Sequence, residues 1–183
     1  MKDCLLKIMC WDALATKALH VQPNQKFLAL IFKIFAHSGD SWFWLAGLFI
    51  TWLFSEREWR EHVVFISVGL VIMAAAVIAL KFSIRRPRPE GAWGQIYRIT
   101  DPHSFPSGHA ARSAALAVMG IAVGPPWFAL ALSIWAPWVG ISRVALGIHY
   151  LSDVLVGWLV GAAMGGIAIL AKPLILKIFS FFI

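Results

Sequence analysis

Apolar residues in this chain fall into long unbroken runs rather than into alternating or three-and-four-spaced stripes. Val63–Leu80, Ser113–Ser142 and Val154–Ala171 contain no Asp, Glu, Lys or Arg. An apolar, charge-free run of about 18 residues or more is long enough to cross a bilayer as a helix, which satisfies its backbone polar groups without water. The middle run is too long for one crossing. Gly124-Pro125-Pro126 divides it, because proline lacks an amide proton and restricts the residue before it. Ser41–Ser55 is shorter and crosses only with help from its flanks. The pattern predicts spans at roughly Ser41–Phe54, Val63–Phe82, Ser107–Val123, Trp127–Ser142 and His149–Ala171. The expected fold is therefore all-α, an integral membrane helical bundle of about five transmembrane helices. Trp42, Trp44, Trp52, Trp59 and Trp127 sit near the ends of these runs, where interfacial aromatic belts are expected.

Residues 1–40 read differently. Phe27–Phe35 is apolar apart from Lys33, and a helix of that length rises only about 14 Å, too little to cross. Asp3, Lys7, Asp12, Lys17, Lys26 and Lys33 recur among apolar residues, as in helices that lie in the membrane interface. No small-residue cleavage site follows an early apolar core, so no signal peptide is expected. Cys4 and Cys10 have no neighbouring histidine pair and are read as ordinary apolar residues. Repeats, low-complexity tracts and linkers are absent, which makes residues 1–183 one domain.

Composition sharpens the class. With 60% apolar residues in 183, the chain is too hydrophobic for a soluble domain, and its net charge of +7 is concentrated outside the spans. Ionisable groups beside lipid are costly and mark function. Three clusters of them stand out.

The first is Lys81 at the end of a span, followed by Arg85-Arg86-Pro87-Arg88-Pro89. The prolines force this segment out of helix and hold Arg88 in a rigid turn. Arginine offers a planar fork for phosphate oxygens, and lysine adds a point charge. Alone, the cluster serves equally for snorkelling or for lipid headgroups. The second is Pro106-Ser107-Gly108-His109, which opens the next span. Free amides at a helix start bind anions, Gly108 lets the backbone approach closely, and Ser107 adds a donor. His109 falls in the first turn, facing the same mouth. The third is Ser142-Arg143, then five residues, then His149 and Asp153. A spacing of four puts His149 and Asp153 on one helical face. The carboxylate then takes the proton on one ring nitrogen and leaves the other bare as a nucleophile. Alone, such a pair also serves to hold helices together.

Alternation of the spans puts the end of the second, the start of the third, the end of the fourth and the start of the fifth on one membrane face. All three clusters converge there.

Lys81, six residues, Arg88-Pro89; Pro106-Ser107-Gly108-His109; and Ser142-Arg143, five residues, His149, three residues, Asp153 together resemble the signature of the type 2 phosphatidic acid phosphatase superfamily. The resemblance implies a lipid phosphatase. His149 attacks phosphorus to form a phosphohistidine, and Asp153 orients it. His109 protonates the departing oxygen and then activates water. Lys81, Arg88, Ser107, Gly108 and Arg143 hold the phosphoryl oxygens, and neither metal nor cofactor is required. Arg112, three residues after His109, either reaches a second phosphate or pairs with Asp101 or interfacial lipid.

The superfamily also includes soluble acid phosphatases and vanadate-dependent haloperoxidases, which the hydrophobicity of this chain sets aside. Members often have six crossings, and this chain shows five, which would leave its termini on opposite sides. The implied substrates are lipid phosphates or diphosphates such as undecaprenyl diphosphate, phosphatidylglycerol phosphate and phosphatidic acid. The implied partners are membrane lipids and not nucleic acid. The reading from another class is a membrane protein that binds anionic lipid or transports phosphate without chemistry.

Orientation is contested between two arguments. Of the 16 basic residues, all but Arg57, Arg60, Lys172 and Lys177 fall on the side of the clusters, and by the positive-inside tendency that side faces the cytoplasm. The resemblance implies the outer face of the cytoplasmic membrane.

Overall fold

The computed structural model describes residues 2–90 and 101–183. Arg98, among the basic residues assigned to the mouth, lies outside the described residues, as do the side chains of Lys2 and Cys4. The described residues form α1 (Lys2–Ala18), α2 (Lys26–Ser38), α3 (Ser41–Phe54), α4 (Arg57–Ile84), α5 (Gly108–Val123), α6 (Pro126–Ala145) and α7 (Leu151–Ile178). A single 3-10 turn, Ser180–Phe182, follows. The protein is an all-α transmembrane bundle, as its apolar runs predict.

Helices α4, α6 and α7 are long and apolar enough to cross a membrane unaided, and α3 and α5 are shorter apolar helices. Their bounds follow the sequence closely, with two informative differences. Helix α4 begins at Arg57, so a charged turn precedes its apolar run, and Glu58 there and Lys81 in the last turn both complement the helix dipole. Helix α7 does not stop at Ala171 but runs through Pro173 to Ile178. Buried Ile175 packs into the same core as Phe65 of α4, and that burial carries the helix past the amide that proline lacks.

The core lies where α4, α5 and α7 meet, around Phe65, Leu70, Met73, Val77, Ala111, Ala115, Leu116, Met119 and Ala168. Small residues set its dimensions. A Cβ at Gly161 would stand 2.0 Å from the Ala111 carbonyl oxygen, and one at Gly157 2.7 Å from that of Ser107. With Gly165 these glycines form a stripe one turn apart that lets the backbones of α5 and α7 touch. Ser107 N–H also donates to the Asp153 carbonyl at 2.9 Å. The helix starts that carry His109 and Asp153 are thus held at backbone contact. Ser113 Oγ donates to the Ala136 carbonyl at 3.2 Å and ties α5 to α6.

The two N-terminal helices are docked on this bundle. Helix α2 packs on α6, with Phe32 and Phe35 against Trp138, and α1 packs against the start of α7. Of the tryptophans expected in a belt, Trp42, Trp59 and Trp127 are exposed. Trp44 is half-buried instead, its ring tilted against Trp135 and its indole N–H donating to the Ser38 carbonyl, because α2 covers that face.

Candidate active site

Helix α4 closes with Arg85 in the left-handed region, its N–H bonded to the Lys81 carbonyl, and the chain then turns inward through Arg86 to Pro89. Two basic residues of the first cluster, Lys81 and Arg88, are buried here. Lys81 Nζ donates to Asp101 Oδ2 at 2.6 Å and to the His103 carbonyl at 2.8 Å. It does not snorkel. Arg88 is 5% exposed and donates through Nε to the Asp101 carbonyl, through one terminal nitrogen to Asp101 Oδ2, and through the other to the Ile148 carbonyl. That last nitrogen also lies 3.1 Å from His149 Nε2.

Helix α5 opens with Ser107 as its cap residue, whose Oγ accepts from Ala110 N–H at 3.5 Å. A Cβ on Gly108 would meet only Val77 Cγ1 at 3.8 Å, so packing does not demand glycine there. Gly108 lines the cavity, where bare backbone admits an anion closely. Ser107 is fully buried and stands behind the wall.

Helix α6 carries Arg143 in its last turn, and Gly147 follows at φ +68°, the left-handed conformation that ends the helix and that glycine adopts without strain. The amides of Ile148 and His149 fold back onto the Arg143 carbonyl. His149 therefore sits in the turn, two residues before α7 begins. This corrects the expectation of a shared helical face, since only Asp153 is helical. The spacing works through a cap instead. Tyr150 N–H donates to Asp153 Oδ2 at 2.9 Å and draws the carboxylate back over the helix start, 3.5 Å from His149 Nδ1.

An arginine can only donate, so the nitrogen that faces Arg88 accepts, and His149 Nε2 carries a lone pair while Nδ1–H faces Asp153. Burial foremost, then the charges of Arg88, Arg143 and Lys81, hold the His149 imidazole well below the ordinary histidine value. It is neutral near neutral pH.

Lys81, Arg88, Gly108, His109, Arg112, Arg143 and His149 line one cavity of about 550 Å³. The three clusters do converge. Arg112 donates to the Gly39 carbonyl at 2.5 Å rather than pairing with Asp101. Asp101 is instead shared by Lys81 and Arg88, with a half-exposed carboxylate at the cavity edge.

Two carboxylates of the site, Asp101 and Asp40, escape the sequence motifs. Asp40, in the turn between α2 and α3, places Oδ1 2.7 Å from His109 Nε2 and Oδ2 3.1 Å from His37 Nδ1. Burial alone would raise its carboxyl, but the bonds to His109 and His37 outweigh that and bring it down to about 2. The available signal was an acid directly before an apolar helix, which reads as a cap. Asp40 does occupy the cap position, but its side chain makes no cap bond because the site has drawn it in.

A larger cavity of about 880 Å³ shares no lining residue with the first. It is almost wholly apolar and runs from His37 and Ser38 along α3 to Trp59 and His62.

Known proteins resemble this chain in sequence and in fold. The model of the PAP2 superfamily matches residues 63–175. The lipid A 1-phosphatase of Porphyromonas gingivalis is 33% identical over 125 residues, which cover 67% of this chain and 26% of that protein. The decaprenylphosphoryl-5-phosphoribose phosphatase of Mycobacterium tuberculosis is 35% identical over 114 residues, 61% of this chain and 60% of that one. The chain thus spans between about a quarter and three fifths of the length of these relatives. Among solved structures, a transmembrane PAP2-type phosphatidylglycerolphosphate phosphatase from Bacillus subtilis superposes with a TM-score of 0.75 at 25% identity, covering 88% of this chain and 84% of the other. LpxE of Aquifex aeolicus gives 0.68 at 25% identity, covering 84% and 92%.

Proposed function

Since the chain belongs to the PAP2 superfamily, we propose that it is a membrane phosphatase that hydrolyses a lipid phosphate or diphosphate through a phosphohistidine on His149, without a metal. The observation that carries this reading is the setting of His149 in the cation-lined cavity, with Nε2 3.1 Å from Arg88 and Nδ1 3.5 Å from Asp153.

In the first half-reaction His149 Nε2 attacks phosphorus, and the bond from phosphorus to the lipid oxygen breaks. His109 delivers a proton to that oxygen. In the second, His109 takes a proton from water, the water oxygen attacks phosphorus, and the P–N bond breaks to release phosphate and the free imidazole. Lys81, Arg88 and Arg143 supply the positive charge that the transition state requires, the part that metal ions play in many phosphoryl-transfer sites. Gly108 offers its backbone amide to the same oxygens, and Ser107 supports it as the cap of α5.

The hydrophobic exterior supports a lipid substrate, and so does the apolar groove along α3, which suits an acyl or prenyl tail. The relatives named above act, by their names, on lipid A 1-phosphate and on a decaprenyl phosphosugar phosphate. We place the protein in the cytoplasmic membrane with its mouth on the outer face. The bonds that Lys81, Arg86, Arg88 and Arg112 make within the site give those charges a use unrelated to topology, which weakens the contrary count.

The test is phosphate release by detergent-purified protein from a panel of lipid mono- and diphosphates. Activity is expected to persist in EDTA and to be blocked by vanadate, which mimics five-coordinate phosphorus. An absolute requirement for a divalent metal would overturn the mechanism.

A further inference from the structure

The family match begins at residue 63, yet Arg86, which holds the carboxylate behind His149, is itself held by an acid on α1. Arg86 lies between two acids. One terminal nitrogen donates to Asp153 Oδ1 at 2.8 Å and to Ser152 Oγ at 2.7 Å, and the other donates to Asp12 Oδ2 at 2.6 Å. Its guanidinium also stacks on the Tyr150 ring at 3.9 Å. Asp12 in turn accepts from Ser152 N–H at 3.0 Å and from Ser152 Oγ at 2.5 Å, and Thr16 Oγ1 accepts from Leu151 N–H at 2.9 Å. Helix α1 therefore caps α7 from outside, one turn from the proposed nucleophile.

We propose that Asp12 is a positioning residue for the hydrolysis: by binding the far edge of the Arg86 guanidinium, it sets how much of the Asp153 charge is left for His149. The inference rests on the phosphatase reading above. Asp153 is fully buried, and a cation in direct contact would neutralise the field that should orient His149 and stabilise it as phosphorus adds. Asp12, Arg86 and Asp153 together carry one net negative charge, and that charge faces Nδ1. Remove the Asp12 charge and the group behind the histidine becomes neutral. Asp12 is ionised, because bonds from Ser152 and Arg86 outweigh the effect of its burial.

A purely structural role, anchoring α1, makes a different forecast, and Asp12→Asn separates the two when combined with Arg86→Gln. The single variant is expected to lose about tenfold or more in kcat with KM little changed, as is usual when an orienting partner behind a reactive group is removed. The double variant restores one net negative charge and should recover most of kcat, whereas an anchoring role leaves it as impaired as the single variant or more so. Asp12→Glu should stay close to the parent. Near-parental kcat in Asp12→Asn, or a double variant no better than the single, overturns the proposal. A second readout does not need turnover: nitrogen NMR of histidine-labelled protein should show His149 as the Nδ1–H tautomer in the parent, less so in Asp12→Asn, and again in the double variant. An unchanged His149 signal in Asp12→Asn also overturns it. If the parent releases no phosphate from any lipid phosphate, the phosphatase reading falls, and the NMR comparison still decides the part played by Asp12.

Discussion

His149 and His109 line the same cavity and each faces a carboxylate, yet the two pairs are built by opposite means. His149 and Asp153 lie four residues apart, and the cap bond from Tyr150 N–H to Asp153 sets the carboxylate's place within one turn of chain. His109 and Asp40 lie 69 residues apart and meet only because α2 packs on α6 and delivers the α2–α3 turn to the start of α5. Environment differs too. The Asp153 side chain is wholly buried, whereas Asp40 is 20% exposed and shared with His37 at the surface. A nucleophile benefits from a fixed, dry orientation. A group that must give a proton in one half-reaction and take one in the next benefits from a partner in contact with solvent.

The sharpest challenge to this contrast is at the proposed nucleophile. His149→Ala is expected to abolish turnover of every phosphate ester, by about a thousandfold or more, whatever its leaving group. Robust residual hydrolysis measured as phosphate release would overturn the assignment of both pairs.

His109→Ala should give a graded result instead. Loss of a proton donor is worth about 100- to 10,000-fold when the leaving oxygen needs the proton. A lipid monophosphate, which expels an alkoxide, should suffer most; a lipid diphosphate or an aryl phosphate, which expels a stabler anion, should suffer less. Rates at saturating substrate are the ones to compare, because they leave out any part that His109 plays in binding. Equal losses for alkyl and aryl esters would show that His109 is not the acid.

Asp40→Asn should have the smallest effect, about tenfold on a lipid monophosphate, as for other partners that act through a catalytic group. It should be near-silent on an aryl phosphate and, decisively, silent in a His109→Ala background. Additive losses in the double variant would mean that Asp40 acts on something other than His109.

Five apolar helices are legible in the chain, and for the three long ones the reason is that a charge-free run of spanning length has no other stable form in lipid. The sequence also determined the local chemistry of each cluster: Arg88 between two prolines, Gly108 and His109 at a helix start, and His149 four residues before Asp153. Even there, the spacing of four was legible while its geometry was not, since a helical turn and a capped turn preceding a helix share that spacing. What tertiary structure alone decided was the carboxylates. Asp40, Asp101 and Asp12 find their partners His109, Lys81 and Arg86 across 69, 20 and 74 residues. Nothing in the local pattern marks them, because an acid beside an apolar run reads the same whether it caps a helix, faces water or completes a site. The choice depends on which helices touch. That in turn depends on surfaces such as the Gly157, Gly161 and Gly165 stripe, where α5 and α7 meet at backbone distance, and on the docking of α1 and α2. Close packing is a property of pairs of helices, and it brings together charges that the chain keeps far apart.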